Sequence, residues 1–222
     1  MRYIEIFSGG FGSGKTEIAV NFALQAAVNN QKPILVDLDF INPFFVSRDV
    51  KGILAGSGVR LVSPGEELAF SDVPQVPSDI INLLQQDNYI YLDLAGDEAG
   101  ATVLGYLARF MKDRPGDFYL VLNPYRPFAG TSTELQDLRE LLQKAGRRRF
   151  TSIISNPNLA EETNLEVILA GHRKVLELAA ALQLPVSYLT VEEKFYKDLP
   201  PEYKTIARTI RLFLRPEWLQ ES

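Results

Sequence analysis

Gly9-Gly10-Phe11-Gly12-Ser13-Gly14-Lys15-Thr16 decides how the rest of this 222-residue chain is read. The run matches G-x-x-x-x-G-K-[ST]. It follows an apolar stretch, Tyr3–Phe7, that reads as a strand, and it opens a segment, 16–29, of helical period. Each residue type has a physical reason to be there. Glycines reach backbone conformations closed to other residues, so successive N–H groups at Gly10, Phe11, Gly12, Ser13 and Gly14 form an anion nest that the helix N-terminus extends. Lys15 adds a flexible point charge for β- and γ-phosphates, and the Thr16 hydroxyl is a ligand for Mg²⁺. A dinucleotide fingerprint read from Gly10 and Gly12 would need glycine at position 15, where lysine stands.

Outward from this loop, short apolar runs alternate with helical segments, the pattern of a mostly parallel sheet covered on both faces. Seven strands are predicted: Tyr3–Phe7, Ile34–Asp37, Val59–Val62, Tyr89–Leu92, Phe118–Leu122, Thr151–Ile154 and Val186–Leu189. Helices are predicted over 16–29, 77–86, 98–112, 131–145, 162–183 and 202–213. In the first, Ile18, Phe22 and Ala26 line one stripe beside Ala19, Ala23 and Ala27. No linker or internal repeat interrupts the pattern, so residues 1–222 read as one domain, with 64–77 its most loop-like stretch.

Composition narrows the chemistry. With 23 basic against 28 acidic residues the net charge is −5, which gives no strong signal for nucleic acid. The absence of cysteine excludes thiolate metal sites, disulfides and cysteine nucleophiles, and one histidine, His172, builds no metal site alone. His172 falls with Ile168, Val175, Leu176 and Ala179 on a helical stripe and reads as a half-buried side chain rather than a base. No run of 18 apolar residues predicts a membrane-spanning helix, and the N-terminus lacks the pattern of a signal peptide. A cytoplasmic location is expected.

Ligands of open α/β sheets bind beyond the carboxyl ends of the strands, so acidic strand ends there are candidate metal and water ligands. Two exist. Asp93, in Tyr89-Ile-Tyr-Leu-Asp93-Leu-Ala-Gly96, follows an apolar run and is expected to hold Mg²⁺ directly or through water. Gly96 would let a backbone N–H approach the γ-phosphate. Asp37 and Asp39 end the second strand; Asp39 is the expected residue to orient or activate the attacking water, with Asp37 in support, and both are candidate metal ligands. Strand-end Asx turns are the plain alternative for this pair.

Taken together, Gly9–Thr16, Asp37-Leu38-Asp39 and Asp93-Leu94-Ala95-Gly96 resemble the ParA/MinD/CobQ-type nucleotide-binding proteins of the SIMIBI class of P-loop NTPases. The resemblance implies a three-layer P-loop NTPase fold of α/β class. It implies ATP or ADP with Mg²⁺ as cofactors, Lys15 and Asp39 as catalytic residues, a protein partner, and a homodimer sandwiching nucleotide. Many such proteins carry a further lysine early in the loop that reaches across the dimer. Gly10 stands at that position here, which points to slow or partner-stimulated hydrolysis.

A guanine site would use Asn-Lys-x-Asp after a late strand. Here Asn156-Pro157-Asn158-Leu159 lacks both the lysine and the aspartate, which disfavours GTP. An asparagine amide pairs with the N6/N7 edge of adenine, and by the resemblance Asn156 is the adenine contact; an Asn-Pro-Asn turn is the alternative. Around the site, Asn42-Pro43-Phe44-Phe45, Arg48 and Arg126 are candidate partner or substrate contacts. Arg147-Arg148-Arg149 reads as a solvated turn. Lys204, Arg208, Arg211 and Arg215 trace a basic amphipathic helix that either docks on the sheet or, by the resemblance, touches a membrane.

Overall fold

Alternation in the first strand sets the layers. In β1, Tyr3–Ser8, Ile4 and Ile6 enter one hydrophobic cluster while Phe7 enters the other, so the sheet is covered on both sides. The computed structural model describes residues 3–29, 31–39, 48–63, 78–111, 114–126 and 131–214. Asn42 to Phe45 and the loop-like stretch 64–77 lie outside them, as do Arg215 and the side chain of Arg48.

The remaining strands are β2 (Pro33–Leu38), β3 (Arg60–Val62), β4 (Tyr89–Leu94), β5 (Gly116–Leu122), β6 (Ser152–Ser155), β7 (Val186–Glu192) and β8 (Ala207–Ile210). All pairings are parallel, in the order β3-β2-β4-β1-β5-β6-β7-β8. The helices are α1 (Lys15–Val28), α2 (Arg48–Gly56), α3 (Ser78–Gln85), α4 (Glu98–Leu107), α5 (Ser132–Gly146), α6 (Leu165–Leu182), α7 (Glu193–Tyr196) and α8 (Pro201–Lys204). On one face, Ile18, Phe22 and Ala26 of α1 and Val50 and Leu54 of α2 pack against Phe7, Leu35, Tyr91 and Tyr119. On the other, α3 to α6 cover Ile4, Ile6, Val36, Leu92 and Leu120.

The sheet has eight strands among the described residues, one more than the seven predicted. One prediction fails: the basic amphipathic helix over 202–213 does not form. The segment divides into the single turn of α8 and the strand β8, which pairs with β7 from Leu189↔Ala207 to Glu192↔Ile210. The four-residue spacing of Lys204 and Arg208 imitates a helix, but Thr205, Ile206, Thr209 and Ile210 are β-branched and fit a pleated edge better. Arg208 is exposed, and its guanidinium lies over the rings of Tyr188 and Phe22. Among the described residues no helix is long and apolar enough to cross a bilayer. α2 was not foreseen. The predicted helix over 98–112 ends as α4 at Leu107 and continues as one 3₁₀ turn, Ala108–Phe110.

Register brings the chemistry to one edge. β1 lies between β4 and β5, and β4 lies between β1 and β2, with Phe7↔Asp93 and Asp37↔Asp93 as direct neighbours. The glycine loop, Asp39, Gly96, Asn123 and Asn156 all follow the carboxyl ends of parallel strands, the edge where open α/β sheets bind ligands.

Candidate functional site

The glycine loop adopts the conformation its sequence calls for. Gly12 and Gly14 have φ of +73° and +88°, in the left-handed region that glycine favours, and Ser13 N–H closes a turn on the Gly10 carbonyl at 3.1 Å. Gly14 caps α1 without a side-chain bond, so nothing covers the helix N-terminus from that position. At Gly96 a Cβ would stand 1.8 Å from the Gly9 carbonyl oxygen, so the β4 end and the loop touch backbone to backbone. The Ser13 hydroxyl is buried with no hydrogen-bond partner.

Lys15 is only 7% exposed, and its Nζ lies 3.9 Å from Asp39 Oδ2. Asp37 forms the Asx turn that ends β2, its Oδ1 accepting from the Asp39 N–H at 3.0 Å. Asp93 is 1% exposed, and neither of its oxygens has a partner at ordinary hydrogen-bond geometry, although the Thr16 hydroxyl lies beside it. Burial, with Asp37 next to it in register, pushes the Asp93 carboxyl up to about 8. Burial lifts Asp37 to about 6. Two desolvated carboxylates side by side resist ionising together.

Such a pair, with Thr16, offers the hard oxygen donors that Mg²⁺ takes, and a cation would relieve both the orphaned oxygens and the mutual repulsion. Among the described residues no three acidic or histidine side chains form a complete metal cage. The fit is therefore to an ion that keeps water and phosphate as its other ligands.

A cavity of about 360 Å³ adjoins the loop, lined by Gly12, Gly14, Lys15, Thr16 and Asp39. Asn123, Asn156 and Asn158 line it as well, Asn156 directly against the loop at Ser13 and Gly14. Asn156 is buried and largely engaged: its Nδ2 donates to the Ser13 carbonyl at 2.7 Å, and its Oδ1 accepts from the Thr190 hydroxyl at 2.6 Å. It braces the glycine loop against β7, and it keeps one N–H and one lone pair beyond those bonds. Arg126 also lines this cavity, its side-chain carbons 3.5–3.7 Å from where a Cβ on Gly12 would sit. A second cavity, of about 320 Å³, lies at Gly10, Phe11, Lys15, Asp39, Gly96 and Leu141, among others.

Sequence reasoning missed Ile210, Leu212 and Leu214, which wall the first cavity from the end of the described chain. Nothing local marks them as site residues, because they arrive through β8. His172 is fully buried, bonded through Nδ1 to the Ser155 hydroxyl at 3.0 Å and edge-on to Tyr203, with burial lowering its pKa. It is part of the packing. Arg147 and Arg149 are exposed in the turn after α5, while Arg148 is partly withdrawn and donates to the Gly116 carbonyl.

A parallel sheet with a glycine-rich loop leaving its central strand and opening a helix is the P-loop NTPase fold. Among solved structures the chain is similar to the cell division protein FtsY of Thermotoga maritima, with a TM-score of 0.57 at 17% identity, covering 87% of this chain and 63% of that one. It is similar to FtsY of Elizabethkingia anophelis in complex with GDP, at 0.55 and 20%, covering 87% and 58%. A third is the signal recognition particle 54 kDa protein of Aeropyrum pernix in complex with GDP, at 0.52 and 17%, covering 83% and 40%. The chain spans less than two thirds of the length of these proteins, and at such identities the likeness is one of fold. It does not single out the ParA/MinD/CobQ type. No protein-family model and no curated protein matches the chain.

Proposed function

We propose that this chain binds ATP or ADP with Mg²⁺ and is a slow or partner-stimulated ATPase acting as a nucleotide switch on a partner protein, in the manner of the ParA/MinD/CobQ-type proteins. The carrying observation is the pairing of an open glycine nest, whose lysine is already buried at the loop, with the orphaned carboxylate of Asp93 beside Thr16. Thr16, Asp93 and Asp37 would hold Mg²⁺, which when bound supplies positive charge against the phosphate oxygens. The backbone N–H groups of 10–16 cradle the phosphates. Lys15, held near Asp39 in this structure, transfers its charge to the β- and γ-oxygens, and Asp39 then orients the attacking water. The loops that follow Asp39 and Gly96 report the γ-phosphate to the partner, which includes a second copy of this chain in a nucleotide-sandwich dimer.

Adenine is favoured because the carboxylates lining the cavity, Glu17 and Asp39, are committed elsewhere. Glu17 accepts two backbone N–H groups, and Asp39 lies beside Lys15. A guanine edge presents N–H donors that want such an acceptor. The similar proteins holding GDP make this a point to test. Titration with ATP, ADP and GTP, each with Mg²⁺, is expected to give tighter binding of the adenine nucleotides; equal ATP and GTP affinity would remove Asn156 from base recognition. Asp39→Ala is expected to keep ATP binding and lose turnover, and retained turnover would take Asp39 out of the chemistry.

A second reading, an ATP-dependent small-molecule synthetase or kinase, or an accessory ATPase of cofactor or metal-enzyme maturation, is favoured by the cavity at Gly10, Asp39 and Gly96. Turnover that requires an added small acceptor would select it.

A further inference from the structure

Three side chains on one stripe of α1, spaced four residues apart, hold the segment that leaves β8. Gln25 Nε2 donates to the Thr209 carbonyl at 2.7 Å. Asn21 pairs with both backbone groups of Arg211, its Nδ2 donating to the carbonyl at 2.9 Å and its Oδ1 accepting the N–H at 2.8 Å. Glu17 accepts the Phe213 N–H at 2.8 Å on one oxygen and the Leu214 N–H at 3.0 Å on the other. Outside a sheet, backbone groups that find partners this regularly define one path for the chain. Residues 209–214 therefore run as a strap along α1 toward its N-terminus. The strap reaches the glycine loop, since Glu17 directly follows Thr16.

Phe213 and Leu214 pack on the core beneath α1, while Ile210, Leu212 and Leu214 line the 360 Å³ cavity beside Gly12, Gly14 and Lys15. Leu212 and Leu214 are half-buried. The polar lining of the same cavity comes from Asn123, Asn156 and Asn158 at the ends of β5 and β6. Apolar side chains and amides lining one cavity suit a flat aromatic ligand with polar edges.

We infer that the strap is the base-binding wall of the nucleotide cavity: Leu212 and Leu214 cover one face of the purine, and Glu17, Asn21 and Gln25 fix the strap at that distance from the glycine loop. This rests on the nucleotide reading above and adds to it which residues hold the base. Aliphatic side chains cover a ring face without reading its edge, so the strap contributes affinity for any purine and leaves the choice of base to the asparagines. It also ties the C-terminal segment to nucleotide occupancy, because a base seated on Leu212 and Leu214 holds down the chain that Glu17 anchors.

The test compares Mg²⁺·ADP with Mg²⁺·tripolyphosphate, which carries phosphates and no base, on the full chain and on two variants, Leu212→Ser/Leu214→Ser and Glu17→Ala. Both variants are expected to lose about tenfold or more in ADP affinity, with GDP falling by the same factor as ADP, and to keep tripolyphosphate affinity within about twofold. In the unaltered chain, ADP should slow hydrogen exchange of the Phe213 and Leu214 amides and tripolyphosphate should not. Unchanged ADP affinity in both variants, or equal losses for ADP and tripolyphosphate, would overturn the inference while leaving phosphate binding intact. Failure of the unaltered chain to bind either probe would overturn the nucleotide reading itself, and the strap with it.

Discussion

At the scale of single residues, backbone proximity makes one glycine decisive. With the Gly9 carbonyl oxygen 1.8 Å from where its Cβ would stand, Gly96→Ala must push the β4 end and the glycine loop apart. We expect it to lower stability by about 1–3 kcal/mol and to weaken Mg²⁺·ADP binding by about tenfold or more, read by thermal melts and calorimetry on the same sample. Normal affinity in Gly96→Ala would mean that the loop tolerates displacement. Arg114 makes a second residue-scale case. Its guanidinium donates to the carbonyls of Leu84, Gln86, Tyr3 and Asn88, gathering α3, the start of β4 and the start of β1. Arg114→Ala should cost about 3 kcal/mol or more by leaving buried carbonyls unpaired, visible as a lower midpoint in urea. Neither function is legible in the sequence. Arg114 sits in an unremarkable Arg-Pro-Gly turn, and the spacing that marks Gly96 as a phosphate contact does not record which backbone lies against it.

At the scale of elements, helix contacts set a comparable constraint. α4 and α5 cross where Gly105 faces Ala145: a Cβ on Gly105 would lie 2.1 Å from the Ala145 carbonyl oxygen. Gly105→Val should therefore destabilise the fold by about 2–4 kcal/mol, shown by denaturant melts, and should leave the nucleotide affinity of the folded fraction unchanged. The strand–helix alternation from β1 to β7 was legible because each element carries its own period and its own breakers, as in Asn164, which caps α6 by accepting from the Val167 N–H. β8 was not, for a physical reason. Four residues are too few to show a period of two, and the basic spacing of Lys204, Arg208 and Arg211 happens to match a helical one. What settles the segment is distant: pairing with β7, the rings of Tyr188 and Phe22 under Arg208, and the α1 side chains that hold residues 209–214.

At the scale of the whole molecule, charge is distributed unequally between the two ends of the sheet. Away from the glycine loop, Glu5 is half-buried in β1, with one buried oxygen lacking a partner. Burial first, and then Asp117, raise it to about 7, while Arg208 pulls it down. Asp117 accepts hydrogen bonds from the Tyr3 and Tyr119 hydroxyls. A carboxyl whose folded pKa exceeds its unfolded one binds the extra proton in the native state, so its contribution to stability is complete below about 4.5 and is lost as pH rises through about 7. Glu5→Gln keeps the shape and removes the charge. Its melting temperature should exceed that of the unaltered chain at pH 8 by several degrees, with the difference shrinking toward pH 5; a constant difference across that range would show that Glu5 does not titrate on folding.

The glycine loop and Asp93 are legible as a candidate site because both are local patterns at strand ends, whereas the cavity wall formed by Ile210, Leu212 and Leu214 joins residues nearly the full chain length from Glu17. The central claim is that this edge of the sheet receives a nucleoside phosphate on Lys15. Calorimetric titration of Mg²⁺·ATP into the unaltered chain and into Lys15→Ala tests it most directly. We predict saturable one-site binding in the first and its loss, by about a hundredfold or more, in the second; equal binding by both proteins, or none by the unaltered chain, would contradict it.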